Sequence, residues 1–472
     1  MSLKNKTIKD FVNYLSADFF VKGFMFLSLP LLSRLMSPEE YGRMSLFVSA
    51  TSILFVFFSL NVQNAISNRL MRTRDDFSSY LFSCLATVIP IQFIISIFIF
   101  MQARTMSTYF GLTILEFRFV VLVCWLLFFF NLYSLYLQAI RDSGAFSKLS
   151  ISTKCIEVVL IFVFCYFFLV ANKHYSKIYA QVIVLFPVSI YIIYKLWLLV
   201  EVKYKISHVK SAFLFAIPLI PHVVTNSMLA QVDRLLINKF LGPSDTGVYS
   251  FAYNISICIV VFIMAWNSSW QPKLYKLIET GSQVEAKKVI LKSTCYLLLV
   301  TVGLMVFSYE ISNIISANDY ANSSKVLLLL IMGNSLIHVY LSYANYIFYS
   351  KKTIFISIST TVSLVLNIAL NYFWIPFFGI EGAAWATVLS YATLCVLNYI
   401  FSVKYLKLSN LSLLVFIGFF CSILVTYLVC EFSLEFTTIN SIVIRTSWLA
   451  LICCVLIYLV KKLERRVSER NN

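Results

Sequence analysis

The chain has 472 residues, of which 60% are apolar and only 12% are charged. Soluble domains average roughly 45–50% apolar and about 25% charged residues, so the composition excludes a soluble globular protein. The net charge of +17 comes from short basic clusters between apolar runs, which is typical of membrane topology signals and not of a nucleic-acid-binding surface. We therefore expect no nucleic-acid partner.

Apolar runs that are long enough to cross a bilayer recur along the whole chain. A transmembrane helix needs about 20 mostly apolar residues. Fourteen segments meet this requirement: 11–33, 44–66, 77–101, 117–139, 147–170, 178–200, 212–236, 247–270, 289–309, 325–348, 354–374, 382–402, 411–430 and 441–460. The sequence thus predicts an all-α, polytopic membrane protein with about 14 transmembrane helices, and a count of twelve stays open.

The distribution of Lys and Arg predicts the orientation of these helices. If the N-terminus is cytoplasmic, 27 of the 38 basic residues fall in cytoplasmic segments and 10 fall in segments on the other side, while Lys22 lies within a span. Short cytoplasmic loops of membrane proteins are enriched in Lys and Arg. We therefore predict that both termini are cytoplasmic.

Two similar segments indicate an internal repeat. RLMSPEEYGRMS at 34–45 and KFLGPSDTGVYS at 239–250 share a basic residue, a Pro, an acid, a Gly and a Ser at an offset of 205 residues. A weaker echo links 136–141 with 346–351. Six spans separate the copies, which predicts a parallel repeat. We expect two six-helix lobes at 1–205 and 206–405, followed by an appended helix pair and a basic tail at 406–472. A simple helix–helix turn also explains the P-x-[DE]-x-G pattern.

Three stretches of the sequence resemble a known family. They are SRLMSPEEYGRMS within 32–45, QVDRLLINKFLGPSDTGVYSFAYN at 231–254 and IPFFGIEGAAWATVLS at 375–390. With these stretches the chain resembles the polysaccharide-flippase branch of the multidrug/oligosaccharidyl-lipid/polysaccharide exporter superfamily. It is similar to O-antigen (Wzx-type) flippases and, more distantly, to the lipid II flippase.

The resemblance implies a two-lobed transporter in a bacterial inner membrane and no enzyme. Its substrate would be an oligosaccharide on undecaprenyl diphosphate, which moves from the cytoplasmic to the periplasmic leaflet by alternating access. Membrane lipids, a polysaccharide polymerase and a chain-length regulator are the further partners expected. We expect no cofactor and no metal ion.

Polar residues within the predicted spans are the candidates for substrate binding. Charges at mid-span cost at least about 2.5–3.5 kcal/mol each, which favours a functional role or an ion pair. Asp18 and Lys22 share one helix face, and Lys22 matches the cationic cavity residues that the resemblance implies. The remaining candidate cavity residues are Asn61, Asn64, Arg69, Arg141, Lys154, Glu157, Asp233, Arg234 and Asn267.

The seventh predicted span combines two prolines with polar side chains. Prolines free backbone carbonyls and kink a helix. We interpret Pro218, Pro221, His222 and Asn226 as a hinge or coupling element of the second lobe.

Two other functions compete with the flippase. A cation-coupled small-molecule or drug antiporter of the same superfamily would need a cavity lined mainly by acids, whereas basic cavity residues favour an anionic substrate. A membrane glycosyltransferase or polysaccharide polymerase would need a sizeable outer loop with catalytic residues, and every predicted loop is short.

Overall fold

The computed structural model describes residues 20–73, 75–169, 171–409 and 411–471, with side chains up to Lys461. All regular structure in these residues is helical, which confirms the predicted all-α membrane fold. The helices are α1 (20–35), α2 (Pro38–Ser59), α3 (Val62–Arg72), α4 (Phe77–Met101), α5 (Ala103–Phe110), α6 (Ile114–Ala139), α7 (Ser143–Val163), α8 (Tyr175–Trp197), α9 (Ile206–Ala216), α10 (Ile220–Leu241), α11 (Pro243–Glu279), α12 (Gln283–Val306), α13 (Ser308–Ile315), α14 (Ser323–Tyr349), α15 (Ile354–Tyr399), α16 (Leu413–Ser433) and α17 (Thr438–Asn471).

Twelve helical segments in the described residues are long and apolar enough to cross a membrane. The segment Ile354–Tyr405 covers two of the predicted spans, because Gly379 interrupts it with a left-handed φ of 61°. The first predicted span, 11–33, lies only partly within the described residues. The multi-pass architecture is therefore confirmed, whereas the count of fourteen stays a prediction.

The chain forms two compact units, Met1–Ser250 and Phe251–Asn472. In the first unit, α6 packs against α2, α3 and α8, and α10 packs against α2. The apolar core of this unit includes Phe47, Phe117 and Phe128, which are all at most 1% exposed. The lobe boundaries expected at 205 and 405 stay a prediction.

The two copies of the repeated motif meet within the first unit. Each motif begins a helix, with Pro38 at the start of α2 and Pro243 at the start of α11. A Cβ atom added to Gly42 would overlap the carbonyl oxygen of Pro243, and one added to Gly247 would overlap that of Pro38. The glycines therefore do not end a turn. They let the first turns of two helices touch, and the contact is reciprocal.

The second predicted span, 44–66, is broken in the structure. Helix α2 ends at Ser59, and Leu60 and Asn61 both adopt left-handed backbone conformations with φ of 47° and 57°. Consecutive non-glycine residues with positive φ are uncommon and redirect the chain sharply. Helix α3 consequently starts a new direction at Val62.

In the second unit, α14 lies at the centre. Buried residues make up 94% of its most apolar stretch, and α15 packs along it. Polar side chains on α14 find partners inside the unit: Asn334 donates to Ser256 Oγ at 2.8 Å, and His338 Nε2 lies 3.0 Å from Thr294 Oγ1. The buried Arg445 on α17 forms a bidentate ion pair with Glu310 on α13, at 2.7 and 3.0 Å.

Candidate functional site

The first unit contains a cavity of about 510 Å³. It lies among α1, α6, α7 and α8 and is lined by Val21, Leu127, Phe130, Gln138, Phe146, Ser150, Thr153, Lys154, Glu157, Gln181 and Leu185. The α7 residues recur at intervals of three and four, which places them on one helix face. From Phe146 to Glu157 this face extends over about 16 Å at 1.5 Å per residue.

Three charged side chains form a cluster at this cavity. Lys154 Nζ lies 3.2 Å from both carboxylate oxygens of Glu157, three residues along α7. Lys177, near the start of α8, binds the same carboxylate through Oε1. The three side chains are 18%, 8% and 12% exposed, in the order Lys154, Glu157 and Lys177. Two ammonium groups thus share one carboxylate, and the ionised cluster has a net charge of +1.

The local fold explains how Lys177 reaches Glu157. Helix α7 ends in a wider, π-helical turn at Phe164–Phe168, and the following connection brings α8 back against α7. The Cys165 thiol lies 3.2 Å from Ser176 Oγ, which fixes the start of α8 beside the end of α7. From there Lys177 contacts Glu157, which lines the cavity.

The electrostatics of the cluster suit an anion. A buried ion pair is stable only when its geometry is good and its remaining polar atoms are satisfied. Here one lysine charge is neutralised by Glu157, and the other has no further carboxylate among the described residues that line the cavity. An entering phosphate would supply the missing negative charge and accept charge-assisted hydrogen bonds from ammonium groups.

The predicted residues of the first span lie close to this cavity or outside the described residues. Val21 lines the cavity, and its neighbour Lys22 is partly exposed on α1. Asp18 lies outside the described residues. The proposed pairing of Asp18 with Lys22, and the role of Lys22 in substrate binding, stay predictions.

Arg141 lies in the turn at one end of the same cavity. It follows α6, has a left-handed φ of 60° and is exposed. Its backbone N–H donates to the carbonyl of Gln138, whose side chain lines the cavity. Arg141 therefore lies near Gln138, at the end of α6 that the sequence predicts to be cytoplasmic. A role of Arg141 in admitting substrate stays a prediction.

Asn61, Asn64 and Arg69 have structural partners around α3. Asn61 is buried in the left-handed break and accepts a hydrogen bond from the Asn64 side chain. The Arg69 guanidinium lies 5.5 Å from the centre of the Tyr80 ring, which is a cation–π distance. None of the three is among the residues that line the 510 Å³ cavity.

Asp233 and Arg234 are buried in the first unit. They are 2% and 5% exposed. Asp233 accepts a hydrogen bond from the Tyr249 hydroxyl at 2.8 Å, and Arg234 donates to Ser250 Oγ at 3.1 Å. Both side chains thus connect α10 to the start of α11, and these contacts stabilise the packing of the two helices. A direct contact with substrate stays a prediction.

The prolines of the seventh predicted span interrupt it, as their positions predict. A short 3-10 turn at Ile217–Leu219 contains Pro218 and separates α9 from α10, and Pro221 lies in the first turn of α10. His222 Nε2 lies 3.1 Å from the Asn226 side-chain amide, one turn further along. The role of these residues in hinge motion or coupling stays a prediction.

Asn267 belongs to a polar cluster in the second unit. It accepts a hydrogen bond from the Asn345 side chain of α14 at 2.7 Å. The adjacent residues Trp266 and Trp270 stack with ring centres 6.3 Å apart and planes inclined by 14°. The cluster lines a small cavity of about 10 Å³.

Sequence reasoning missed two charged features of the first unit. Lys177 counts as an ordinary basic residue outside the membrane when only hydropathy is considered, although it binds Glu157. Glu116 and His174, which are 2% and 3% exposed, form a buried pair at 2.7 Å. The capping box of Thr113 and Glu116 is visible in the sequence and predicts the start of α6, but it does not indicate His174.

These helices and the charged cavity among them define a multi-pass α-helical membrane protein. The chain belongs to the polysaccharide biosynthesis protein family, whose family model matches residues 7–278. This match covers two of the three stretches, 32–45 and 231–254, and together with the relatives described next it confirms the resemblance.

Individual relatives agree with the family assignment. The chain is 23% identical to "Lsg locus putative protein 1" of Haemophilus influenzae over 80% of this chain and 95% of that protein. It is 30% identical to "Probable low-salt glycan biosynthesis flippase Agl15" of Haloferax volcanii over 35% of this chain and 36% of that protein.

Solved structures share the fold. The "Lipid II flippase MurJ, inward closed conformation" matches with a TM-score of 0.71 and 16% identity, over 95% of this chain and 99% of that one. An inward-facing multidrug resistance MATE transporter matches with a TM-score of 0.61 and 13% identity, over 84% and 94% of the two chains. At these identities the likeness concerns the fold alone.

Proposed function

We propose that this protein is a flippase that translocates a lipid-linked oligosaccharide, with undecaprenyl diphosphate as the carrier, from the cytoplasmic to the periplasmic leaflet of a bacterial inner membrane. The O-antigen repeat unit is the substrate class that the sequence resemblance implies. Membership in the polysaccharide biosynthesis protein family and the flippase named among the relatives support the proposal. The proposal includes movement by alternating access and two cytoplasmic termini. It also includes partnership with a polymerase and a chain-length regulator.

The observation that carries the proposal is the cationic cavity of the first unit. A lipid-linked sugar presents a diphosphate and many hydroxyl groups, which cannot cross about 30 Å of hydrocarbon without a polar path. Lys154 and Glu157 line the cavity, and Lys177 binds Glu157 from beside it, so that the cluster has two ammonium groups for the diphosphate. Gln138, Ser150 and Gln181 add hydrogen-bonding groups to the lining. Binding of the diphosphate replaces part of the Glu157 contact with each ammonium group.

A reconstituted transport assay tests the proposal. Purified protein in liposomes is supplied with an undecaprenyl diphosphate carrier that bears a fluorescently labelled sugar, and transfer between leaflets is followed by a membrane-impermeant quencher. Hydrogen bonds to charged groups contribute roughly 1.5–3 kcal/mol. We therefore expect Lys154→Gln and Lys177→Gln each to slow transfer at least about tenfold.

The control is Lys148→Gln, which removes an exposed lysine from the same helix and should leave the rate within about twofold. Wild-type transfer rates in well-folded Lys154→Gln and Lys177→Gln proteins would refute the diphosphate role of the cavity. Liposomes with wild-type protein that transfer the labelled carrier no faster than empty liposomes would refute the flippase function itself.

The second candidate function is cation-coupled export of a small molecule. Glu157 favours it, because a carboxylate inside a membrane cavity can bind Na⁺ or a proton, and the fold is shared with a multidrug transporter. Two lysines at that carboxylate oppose binding of a cation. Active efflux of cationic dyes by cells that express the protein, abolished by Glu157→Gln, would favour this function over the flippase.

A further inference from the structure

A compact polar and aromatic cluster in the second unit has no role in the cationic cavity. It involves the last third of α11 and the middle of α14, and the small cavity within it is lined by residues that include Trp266, Asn267, Trp270, His338, Ser342 and Asn345. Trp266, Asn267, Trp270 and Gln271 follow one another at helical spacing, so they share one face of α11. This end of α11 is the one that the distribution of basic residues predicts to be cytoplasmic.

The aromatic part of the cluster is a pair of parallel indoles. Trp266 and Trp270 stack with an inclination of 14°; Trp270 is 4% exposed, whereas Trp266 remains partly exposed. The Trp270 Nε1–H has no hydrogen-bond partner within the part of the chain that the structure describes. A buried donor of this kind is destabilising unless it is satisfied. The adjoining cavity of about 10 Å³ is just large enough for one water molecule.

The polar part of the cluster is a chain of hydrogen-bonded side chains. Gln271 Nε2 donates to Tyr275 Oη at 2.9 Å and to Asn345 Oδ1 at 3.2 Å. Asn345 Nδ2 donates to Asn267 Oδ1 at 2.7 Å. Asn345 is 1% exposed, but Asn267 and Gln271 are partly exposed. This series of hydrogen-bonded side chains therefore has two accessible groups, namely the Nδ2 donors of Asn267 and the Oε1 acceptor of Gln271.

We propose that this cluster binds one sugar ring of the substrate, as a pyranose subsite in the second unit. This inference rests on the proposed flippase function and assigns sugar recognition to residues apart from the diphosphate cavity. The negative face of an indole attracts the C–H groups on one face of a pyranose. A donor and an acceptor at the ends of one preformed amide chain match two neighbouring hydroxyl groups, which each donate and accept. A water molecule in the small cavity beside Trp270 would extend the same network.

The chemistry of the cluster makes it selective for a neutral sugar. Among the residues that line the small cavity there is no carboxylate, Lys or Arg, so a charged ligand finds no counterion there. Binding sites with a few fixed polar groups beside apolar surface orient ligands in this way. The preformed amide chain also reduces the side-chain entropy that binding would otherwise cost.

The experiment tests the two sites with separate probes. Wild-type protein in detergent is titrated with the methyl glycosides of glucose, galactose, N-acetylglucosamine and N-acetylgalactosamine, with glycerol as the polyol control and farnesyl diphosphate as the probe of the cationic cavity. We expect at least one methyl glycoside to bind about tenfold or more tightly than glycerol. Trp266→Leu and Asn267→Ala should abolish this preference and leave the binding of farnesyl diphosphate unchanged.

Three controls separate sugar binding from folding. Trp266→Phe keeps an aromatic face and should keep most of the preference, and Ser268→Ala changes an exposed hydroxyl on the same helix without effect. Lys154→Gln should weaken the binding of farnesyl diphosphate and leave the preference for the methyl glycoside unchanged.

Wild-type protein that binds the probes without any preference for a sugar overturns the subsite alone. Wild-type protein that binds none of the probes overturns the proposed function together with the subsite. A preference that survives Trp266→Leu and Asn267→Ala also overturns the subsite.

Discussion

Replacing Gly42 with alanine tests the contact between the two copies of the repeated motif. The new methyl group would overlap the carbonyl oxygen of Pro243, and backbone N–H of Gly247 lies close behind it. Both obstacles are main-chain atoms of a helix start, so no side chain can rotate away. The first turns of α2 and α11 must therefore separate.

The expected magnitude follows from two opposing effects. Overpacking of a rigid contact costs roughly 1–3 kcal/mol, and here the cost lies at the upper end because backbone meets backbone. Alanine gains about 1 kcal/mol over glycine within a helix. The difference is a net loss of about 2 kcal/mol for Gly42→Ala, and the reciprocal contact predicts a similar loss for Gly247→Ala.

The measurement is thermal unfolding of the purified protein in detergent. Unfolding is monitored through the reaction of the buried cysteines with a thiol-specific dye. Gly303→Ala is the matched control, because Gly303 lies within α12 and an added Cβ meets nothing within 4 Å. We expect the control to unfold at the wild-type temperature or above and Gly42→Ala to unfold several degrees below it. Equal unfolding temperatures for Gly42→Ala and Gly303→Ala would show that the two helix starts are not in contact.

Three contacts of acidic side chains, which differ in burial, provide further predictions. Glu116→Ala removes both the partner of His174 and the capping contact at the start of α6, so we expect a loss of about 2–4 kcal/mol. Glu310→Gln leaves the guanidinium of Arg445 buried without its charge partner and should cost about 2 kcal/mol, reduced because Glu310 is partly exposed. Glu39→Ala breaks an exposed pair and should cost less than about 1 kcal/mol in the same unfolding assay. Equal unfolding temperatures for the three variants would contradict the assigned burial.

Hydropathy was sufficient to predict the membrane-spanning class and the positions of several spans. The predicted segment 77–101 coincides with α4, and the two segments on either side of Gly379 correspond to the interrupted helix from Ile354 to Tyr405. The break at Leu60 and Asn61 could not be predicted from hydropathy. Asn61 is of a residue type that favours left-handed positions, but the left-handed conformation of Leu60 depends on its packing.

The candidate site was predictable only where its residues are neighbours in sequence. Lys154 and Glu157 lie three residues apart on one helix, so their pairing follows from helical geometry. Lys177 joins them from 20 residues away, through a helical hairpin whose exact register no periodicity indicates. In the same way, the repeat predicted that Gly42 and Gly247 are equivalent, but not that they touch.

The central position of α14 has a consequence for how the protein is assembled in the cell. A helix with Asn334, His338 and Asn345 at hydrocarbon depth would lose free energy if lipid tails surrounded it. The hydrogen-bond partners of these groups, which include Ser256, Thr294 and Asn267, lie on α11 and α12, and both helices are synthesised before α14. During biogenesis α14 can therefore bind to these earlier helices as it leaves the translocon, before α15 packs along it. Loss of the partners on α11 or α12 would expose α14 to membrane quality-control proteases.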